Sequence, residues 1–344
     1  MIILSIDTSC DETAAAVTKD TKILSNTVWS QASLHAKFGG VMPSLAQRMH
    51  EERIDWVIGK TLKSSKIKIQ DLDAIAVTIG PGLSIALGVG INKAKELAKK
   101  YNKKLIAVNH LEGHILSSLA NEDSRAASIK YPALGLVVSG GNTLLIKINK
   151  IGEYQTLAQT TDDALGEALD KAARMLGLGY PGGAILEKLT RGGDKNAYTL
   201  PIPISGQENR KIFTYSGLKT AMMRLIEKEK GESKNLTKQQ IYDLSACFQD
   251  VAFTHLIRII SYIIRDSKFK VKNLLIGGGV SANVELRKRL RKLCKQYDLE
   301  VSFPYSKKIT GDNAAMIGVA AYFKAQRGEF AEIDNIDRDP RAKL

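Results

Sequence analysis

The chain has 344 residues, of which 44% are hydrophobic and 25% are charged, and it carries a formal net charge of +14 at pH 7. This composition excludes a disordered chain, and the length suits two linked domains of about 150 residues each. No uninterrupted apolar run reaches the ~20 residues of a membrane span, the start MIILSID lacks a basic leader, and three cysteines without a CxxC pair favour a reducing cytoplasm.

In the first half, short apolar runs alternate with longer helical patterns, which is typical of α/β architecture. In chain order, the patterns predict strands at 2–6, 14–17 and 23–29, a helix at 44–62, a strand at 74–78, a helix at 84–101, and a strand at 105–108 followed by a helix from His110. We expect the first three strands to be hairpin neighbours.

The second half begins in the same way. Two strands at 134–139 and 143–147 are joined by a Gly-Gly-Asn turn. Further patterns predict helices at 164–176 and 238–265, a strand at 273–276, and helices at 282–297 and 313–327, with a polar loop at 192–207.

The two halves share an internal repeat. A strand, a turn of small residues and a second strand open each half, as SIDTSCDETAAAV at 5–17 and LVVSGGNTLLIKI at 136–148. Each half also carries a buried strand that runs into a glycine-rich turn and a helix, as AVTIGPGLSIALGVG at 76–90 and LLIGGGVSANVELR at 274–287. The repeat predicts two related lobes that hold a nucleotide in the cleft between them.

Two glycine-rich turns are candidates for phosphate binding. The sequence has no GxxxxGK[ST] motif, so the P-loop NTPase class is excluded. Backbone N–H groups of Val138-Ser139-Gly140-Gly141 and of Gly277-Gly278-Gly279 could still converge on a phosphate, since glycine allows close approach. Tight turning at a strand end is the alternative for each segment taken singly.

The segment HLEGH provides a candidate metal site. On a helix, His110 and His114 lie one turn apart on the same face and could bind one metal ion. Chance spacing on a surface helix is the alternative. Glu112 lies roughly 200° around the helix from His110, unlike the glutamate of a peptidase HExxH motif.

Several carboxylates could complete the site. Asp312 is a candidate third ligand or, alternatively, the N-cap of the helix at 313–327. Asp11 and Glu12 lie at the first hairpin, where they could position a metal, water or proton or simply be turn residues. The pair Asp162 and Asp163 suggests a helix cap. Asp170 lies inside the following helix and would need a partner such as a ribose hydroxyl.

The positive charge has two interpretations. It could serve a polyanionic partner, because lysine and arginine release counterions on binding phosphates, or it could be solvated surface. The densest cluster lies at 287–295, where Leu286, Leu290 and Cys294 recur at helical spacing. This pattern predicts an amphipathic helix and does not by itself indicate an RNA site.

Taken together, the motifs resemble the tRNA N6-adenosine threonylcarbamoyltransferase family, formerly labelled O-sialoglycoprotein endopeptidases, within the actin-like superfamily of sugar kinases and heat-shock chaperones. The resemblance runs from position 6 to 318 and is carried by IDTSCDETAAAV, HAKFGGVMPSLAQRMH, TIGPGLSIALGVG, NHLEGH, LVVSGGNT, DDALGEALDKAARMLGLGYPGG, FTYSGLK, GGGVSANVELR and TGDNAAMIG. It implies two actin-like, ribonuclease H-like lobes, 1–108 completed by a C-terminal helix over 312–344, and 109–311, with a nucleotide and metal cleft between them.

The resemblance also implies residue roles. His110, His114 and Asp312 match the metal ligands of the family, usually assigned to iron, with zinc or magnesium also considered. The substrate-binding positions include the loop that meets the phosphate and acyl portion and the contacts to the nucleoside: Val137, Val138, Ser139, Gly140, Gly141, Asp170, Gly183, Asn283 and, in some branches, Glu187. Asp7 stands where many members have glutamate, which leaves its role open.

The reaction implied by the resemblance is transfer of the threonylcarbamoyl group from threonylcarbamoyl-adenylate to N6 of adenosine 37 in tRNAs that read codons beginning with A, with AMP as leaving group. The implied partners are tRNA, a related inactive paralogue and a small ATPase, in the cytoplasm and away from membranes. No catalytic base is identified, and Asp11 and Glu12 are only candidates.

Three other functions are alternatives. A sugar or acetate kinase would leave the pair of histidines without a role, because such enzymes hold their cation through carboxylates and phosphate. A metallopeptidase is disfavoured by the position of Glu112. A non-catalytic scaffold is disfavoured by the intact candidate metal and nucleotide positions.

Overall fold

The computed structural model describes residues 1–121, 129–231, 235–267 and 269–344. Within them, the first half forms a five-stranded sheet in the order β3-β2-β1-β4-β5. The strands are β1 (Ile2–Asp7), β2 (Glu12–Lys19), β3 (Lys22–Ser30), β4 (Ala74–Gly80) and β5 (Lys104–Asn109). The helices of this half are α1 (Ala32–His35), α2 (Pro43–Ser65), α3 (Ser84–Tyr101) and α4 (His110–Leu116).

The second half forms a six-stranded sheet in the order β11-β10-β6-β7-β8-β9. Its strands are β6 (Ala133–Val138), β7 (Thr143–Lys150), β8 (Glu153–Thr160), β9 (Ile212–Phe213), β10 (Asn273–Gly277) and β11 (Glu300–Ser302). Its helices are α5 (Leu165–Met175), α6 (Gly182–Leu189), α7 (Ser216–Lys230), α8 (Lys238–Asp266), α9 (Val284–Gln296) and α10 (Ala314–Gln326).

The two sheets share one topology, which confirms the internal repeat. In the first, β1-β2-β3 is an antiparallel meander, and β4 and β5 join parallel to β1. In the second, β6-β7-β8 is the meander, and β10 and β11 join parallel to β6. The inner parallel strands β1, β4 and β10 are almost entirely buried, as expected when helices cover both faces.

Helices α4 and α10 form a layer between the sheets. One buried core includes Ile106 from the first sheet, Ile115 from α4, Ile317 from α10 and Leu275 from the second sheet. Small residues on α10 allow the sheets to approach: a Cβ at Gly318 would lie 2.7 Å from a methyl carbon of Thr18. The metal ligands predicted from the sequence lie at the N-terminal ends of this pair of helices.

The predicted elements agree with the structure to within a few residues, including the loop at 192–207. The helix expected over 312–344 is wrong in extent, because α10 ends at Gln326 and Gly328 adopts a left-handed φ of +73°. The chain beyond it returns to the first sheet, where the amide of Ala331 donates to the carbonyl of Leu105 at 2.8 Å.

One further expectation needs correction. Asp162 does not cap α5; its carboxylate accepts from the amide of Tyr215 at 2.9 Å, at the start of α7. Asp163 instead forms ion pairs with Lys171 and Lys219. No uninterrupted apolar run of ~20 residues occurs, but α8 reaches the length and mean apolar composition of a membrane span; 56% of its apolar stretch is buried, as in a core helix of a globular protein.

Candidate metal and nucleotide site

Two helix caps bring the candidate metal ligands together. Asn109 caps α4 by accepting from the amide of Leu111 at 2.8 Å, which fixes His110 as the first helical residue. Asn313, not Asp312, caps α10, because its Oδ1 accepts from the amide of Met316 at 3.2 Å. The alternative role of Asp312 as a cap is therefore wrong, and its carboxylate faces the histidines.

The distances suit a metal ion. Asp312 Oδ1 lies 3.5 Å from His110 Nε2 and 3.3 Å from His114 Nε2, and the ligand atoms of the three residues lie within 4.8 Å of one another. Two ligands at ~2.1 Å from a tetrahedral ion would lie about 3.4 Å apart.

The hydrogen-bond pattern also fits a metal. Both ring nitrogens of His114 are buried without a hydrogen-bond partner among the described residues, which is costly unless a ligand satisfies one of them. His110, His114 and Asp312 could therefore hold a metal ion.

The charges of the three residues are interdependent. Burial alone would lower the pKa of His110, but the Asp312 and Asp7 carboxylates raise it to about 9. Burial and the neighbouring His110 lower the pKa of His114. Burial opposes the charge of Asp312, yet attraction to His110 holds the pKa of Asp312 below its usual range. A cation at this point would take over the balancing charge that a proton on His110 otherwise supplies.

Asp7 lies on the Nδ1 side of the His110 ring, away from Asp312. It is 1% exposed at the end of β1, its Oδ1 accepts from the amide of Ser9 at 3.2 Å, and its Oδ2 lies 3.8 Å from His110 Nδ1. Burial raises the pKa of Asp7. The separation of Asp7 Oδ2 from His110 Nδ1 is too long for a hydrogen bond, so Asp7 acts on His110 through its charge, which helps to raise the pKa of His110.

Glu112 faces away from the site. Its Oε1 accepts from the hydroxyl of Tyr154 at 2.8 Å and lies 3.7 Å from Arg327. The expectation that this glutamate lies on the far side of the helix is confirmed.

A cleft of about 470 Å³ opens beside the metal ligands, with His110 and Asp312 in its wall. Both halves of the chain line it. The β1–β2 turn, the turn after β4, the β6–β7 turn and α5 contribute Ser9, Cys10, Asp11, Pro81, Gly82, Leu83, Ser139, Gly140, Gly141, Asn142, Asp170, Lys171 and Arg174. A cleft between two lobes was expected; the contributions of Lys171 and Arg174 were not, although both lie in the segment DDALGEALDKAARMLGLGYPGG.

The β6–β7 turn presents free amides to this cleft. Ser139 closes the turn by donating its amide to the carbonyl of Asn142 at 2.8 Å, whereas the amides of Gly140 and Gly141 have no acceptor within the described residues. Space is open around both glycines. Val137 and Val138, expected in the same loop, belong instead to β6 and are fully buried, because they pair with β7 and pack in the core.

The second glycine-rich turn is closely packed, in agreement with the alternative of a tight turn at a strand end. A Cβ at Gly277 would lie 1.8 Å from the carbonyl oxygen of His114, and one at Gly278 would lie 2.3 Å from that of Val138. Gly278 also has a left-handed φ of +93°. The turn therefore lets β10 approach α4, and none of its residues lines the cleft.

The predicted nucleoside contacts fall into two pairs. Asp170, in the cleft wall, accepts from the amide of Gly183 at 2.6 Å, and burial raises the pKa of Asp170. Glu187 accepts from the amide of Val284 at 2.9 Å, next to Asn283. Glu187 lines a separate cavity of about 550 Å³. The structure thus places only the first pair beside the metal ligands.

The side chain of Asn283 forms two hydrogen bonds within the protein. Its Oδ1 caps α9 by accepting from the amide of Leu286 at 3.1 Å, and its Nδ2 donates to Gln249 at 2.8 Å. A structural role would explain both bonds.

The adjacent carboxylates of the first hairpin point into different spaces. Asp11 lines the cleft, whereas Glu12 lines a second cavity of about 440 Å³ on the other side of Asp312. Burial, together with the nearby Asp312 and Asp11, raises the pKa of Glu12 well above its usual range. The second cavity was not predicted, because its walls come from β3 and from residues 305–312, which no sequence pattern connects.

A family model described as tRNA N6-adenosine threonylcarbamoyltransferase matches residues 22–319. A curated protein of that name from Pelagibacter ubique is 41% identical over 345 residues, covering 97% of this chain and 92% of the relative. The one from Clostridium beijerinckii is 41% identical over 344 residues, covering 100% of this chain and 98% of the relative.

Solved structures resemble the fold. Component A of the (R)-2-hydroxyglutaryl-CoA dehydratase of Acidaminococcus fermentans has a TM-score of 0.55 at 17% identity, covering 95% of this chain and 99% of that chain. The activator of the 2-hydroxyisocaproyl-CoA dehydratase from Clostridium difficile has a TM-score of 0.54 at 14% identity, covering 95% and 97%. At these identities the likeness establishes the actin-like two-lobed α/β fold alone.

Proposed function

The chain belongs to the tRNA N6-adenosine threonylcarbamoyltransferase family and is a transferase that modifies tRNA; we propose that its donor is threonylcarbamoyl-adenylate and its acceptor N6 of adenosine 37. One observation carries this proposal: Asp312, a candidate metal ligand, lies in the wall of both the cleft and the second cavity, and His110 lies in the wall of the cleft. A donor in one cavity and an acceptor in the other would face each other across Asp312.

In the proposed reaction, the N6 amine attacks the carbamoyl carbon, the new N–C bond forms, and the bond from that carbon to the phosphate oxygen breaks to release AMP. A divalent ion, when bound, supplies polarisation of the carbonyl and offsets phosphate charge. We propose that the amides of Gly140 and Gly141, which line the cleft and have no acceptor among the described residues, stabilise the developing oxyanion. Two histidines and one carboxylate are a ligand set that suits Fe²⁺, with zinc and magnesium as alternatives.

The amine must lose a proton as the bond forms. Glu12 lines the second cavity and accepts a hydrogen bond from Ser30 Oγ at 3.1 Å, so it is our candidate to receive that proton. Asp11 lies in the donor cleft, where it would position the donor or water. Asp170 and Gly183, with Asn283 and Glu187, are proposed to contact the nucleoside of the adenylate.

A test of the nucleoside role must separate it from helix capping. We expect Asn283→Ala to weaken binding of a non-hydrolysable adenylate analogue by roughly 1–3 kcal/mol, because a buried polar partner is lost. Asn283→Ser keeps an N-cap and should restore the unfolding midpoint without restoring analogue affinity. Calorimetry and thermal unfolding of both variants distinguish the roles; wild-type affinity in Asn283→Ala would assign the residue to capping alone.

The partners and location are also proposals. From the family resemblance, we propose that a related inactive paralogue and a small ATPase support turnover, in the cytoplasm and away from membranes. We further propose lobes at 1–108 and 109–311, the first completed by residues from 312, since α10 contacts all five strands of the first sheet.

The reaction can be tested by product analysis. The chain with its partners, unmodified tRNA, threonine, bicarbonate, ATP and the adenylate-forming enzyme should yield threonylcarbamoyladenosine by nucleoside mass spectrometry. Phosphorylation of a small molecule with no nucleoside product would support a kinase. Metal-dependent cleavage of a glycoprotein would support a peptidase. Unmodified tRNA with neither activity would support a scaffold.

A further inference from the structure

The second cavity lies between the outer face of β3 and the chain after β11. Its volume of about 440 Å³ falls within the ~300–1,000 Å³ typical of small-molecule pockets. Asp312 lies in its wall and in the wall of the donor cleft. A group held in this cavity would therefore reach Asp312 through a different cavity from the donor.

The interior of the cavity is rich in hydrogen-bond acceptors. Glu12 and Asp312 contribute carboxylates, and Asn26 contributes an Oδ1 that is buried without a hydrogen-bond partner among the described residues. These oxygens are hydrogen-bond acceptors, which a phosphate cannot satisfy. They suit a neutral heterocycle with an amine donor, and asparagine is a common partner of adenine.

The rim of the second cavity carries cations and aromatic rings instead of acceptors. Tyr305 is 53% exposed, and the exposed Lys307 and Lys308 follow it on the cavity wall. Arg291 lies 5.1 Å from the ring centre of Phe303, two residues before Tyr305. None of these three cations has a carboxylate within ion-pair distance in the described part of the chain. We call Arg291, Phe303, Tyr305, Lys307 and Lys308 the basic strip.

Cations beside aromatic rings are typical of surfaces that bind single-stranded nucleic acid, where phosphates meet the charges and bases stack on the rings. We propose that the basic strip docks the anticodon loop of tRNA and that the second cavity receives the acceptor adenine, turned out of the loop. This inference rests on the proposed function, and it accounts for the acceptors inside the cavity and the cations outside it. An enzyme that acts on a base must take that base out of its stack.

The docking role is tested by direct binding of an unmodified anticodon stem-loop to the full metal-loaded chain, measured by fluorescence anisotropy over a range of salt. Lys307→Ala/Lys308→Ala should weaken binding about tenfold and reduce the slope of log K against log salt by about 1.4, at ~0.7 per charge. The matched control is Arg224→Ala/Lys228→Ala on α7, which removes the same charge from another exposed surface and should bind as the wild type.

The base pocket is tested by kinetics. Tyr305→Ala should raise the KM for tRNA about tenfold, with Tyr305→Phe close to wild type because the ring is kept. Asn26→Ala should lower kcat/KM for tRNA at unchanged affinity for the adenylate analogue. Equal RNA binding by the strip and control variants, or wild-type tRNA kinetics in Tyr305→Ala and Asn26→Ala, would overturn the inference. Absence of product from the wild type while it binds RNA would instead overturn the proposed function.

Discussion

Replacing His114 by alanine should remove the metal from the purified protein and lower the rate of threonylcarbamoyl transfer on the order of 10³-fold, because the polarising ion supplies several kcal/mol to the transition state. The side chain is fully buried and both of its ring nitrogens lack partners among the described residues, so a bound ion is the interaction that the substitution removes. Elemental analysis and initial rates of product formation measure the two effects. His110→Ala and Asp312→Ala should behave in the same way.

A matched control is His255→Ala. This histidine is also buried, but it packs against Phe213 and Tyr215 in the second lobe and accepts from the amide of Thr214 at 3.2 Å. The variant should be destabilised by the lost packing while keeping its metal. Unchanged metal stoichiometry in both His110→Ala and His114→Ala would contradict the assignment of these residues as metal ligands.

Gly277→Ala should destabilise the fold by about 3 kcal/mol and lower metal affinity tenfold or more, although Gly277 is no ligand. The added Cβ would lie 1.8 Å from the carbonyl oxygen of His114, so β10 and α4 must separate. Helix α4 carries both histidines, and its displacement moves them away from Asp312. Chemical denaturation and metal titration measure the two effects.

The matched control is Gly279→Ala, two residues from Gly277. At Gly279 the nearest atom to an added Cβ is the Cα of Gly311 at 3.8 Å, an ordinary contact, so Gly279→Ala should keep near-wild-type stability and metal affinity. Equal behaviour of the two alanine variants would show that the β10–α4 contact does not position the histidines.

The sequence predicted most of the fold, because the strands of both lobes are apolar runs bounded by glycine and polar turns. The sequence does not predict strand β8 or helix α7, because both are largely polar and few of their side chains are buried. The repeat of strand, turn and strand was visible because it reflects a topology used twice.

The site was only partly predictable. Helical spacing was enough to pair His110 with His114, but whether Asp312 binds metal or caps a helix depends on which residue starts α10, and Asn313 starts it. Glycine at 277 fits both phosphate binding and close packing, and only the approach of α4 decides between them. The second cavity joins segments far apart in the chain, so local patterns carry no signal for it.

We propose that a metal held by His110, His114 and Asp312 lies between donor and acceptor. The most direct measurement is an anomalous difference map, recorded at the absorption edge of the bound metal, from crystals of the metal-loaded protein with a non-hydrolysable adenylate analogue. We expect one strong peak about 2.0–2.2 Å from His110 Nε2, His114 Nε2 and Asp312 Oδ1, with the acyl group of the analogue on the side of the Ser139–Gly141 turn. A peak elsewhere, or an analogue bound in the second cavity, would contradict the account.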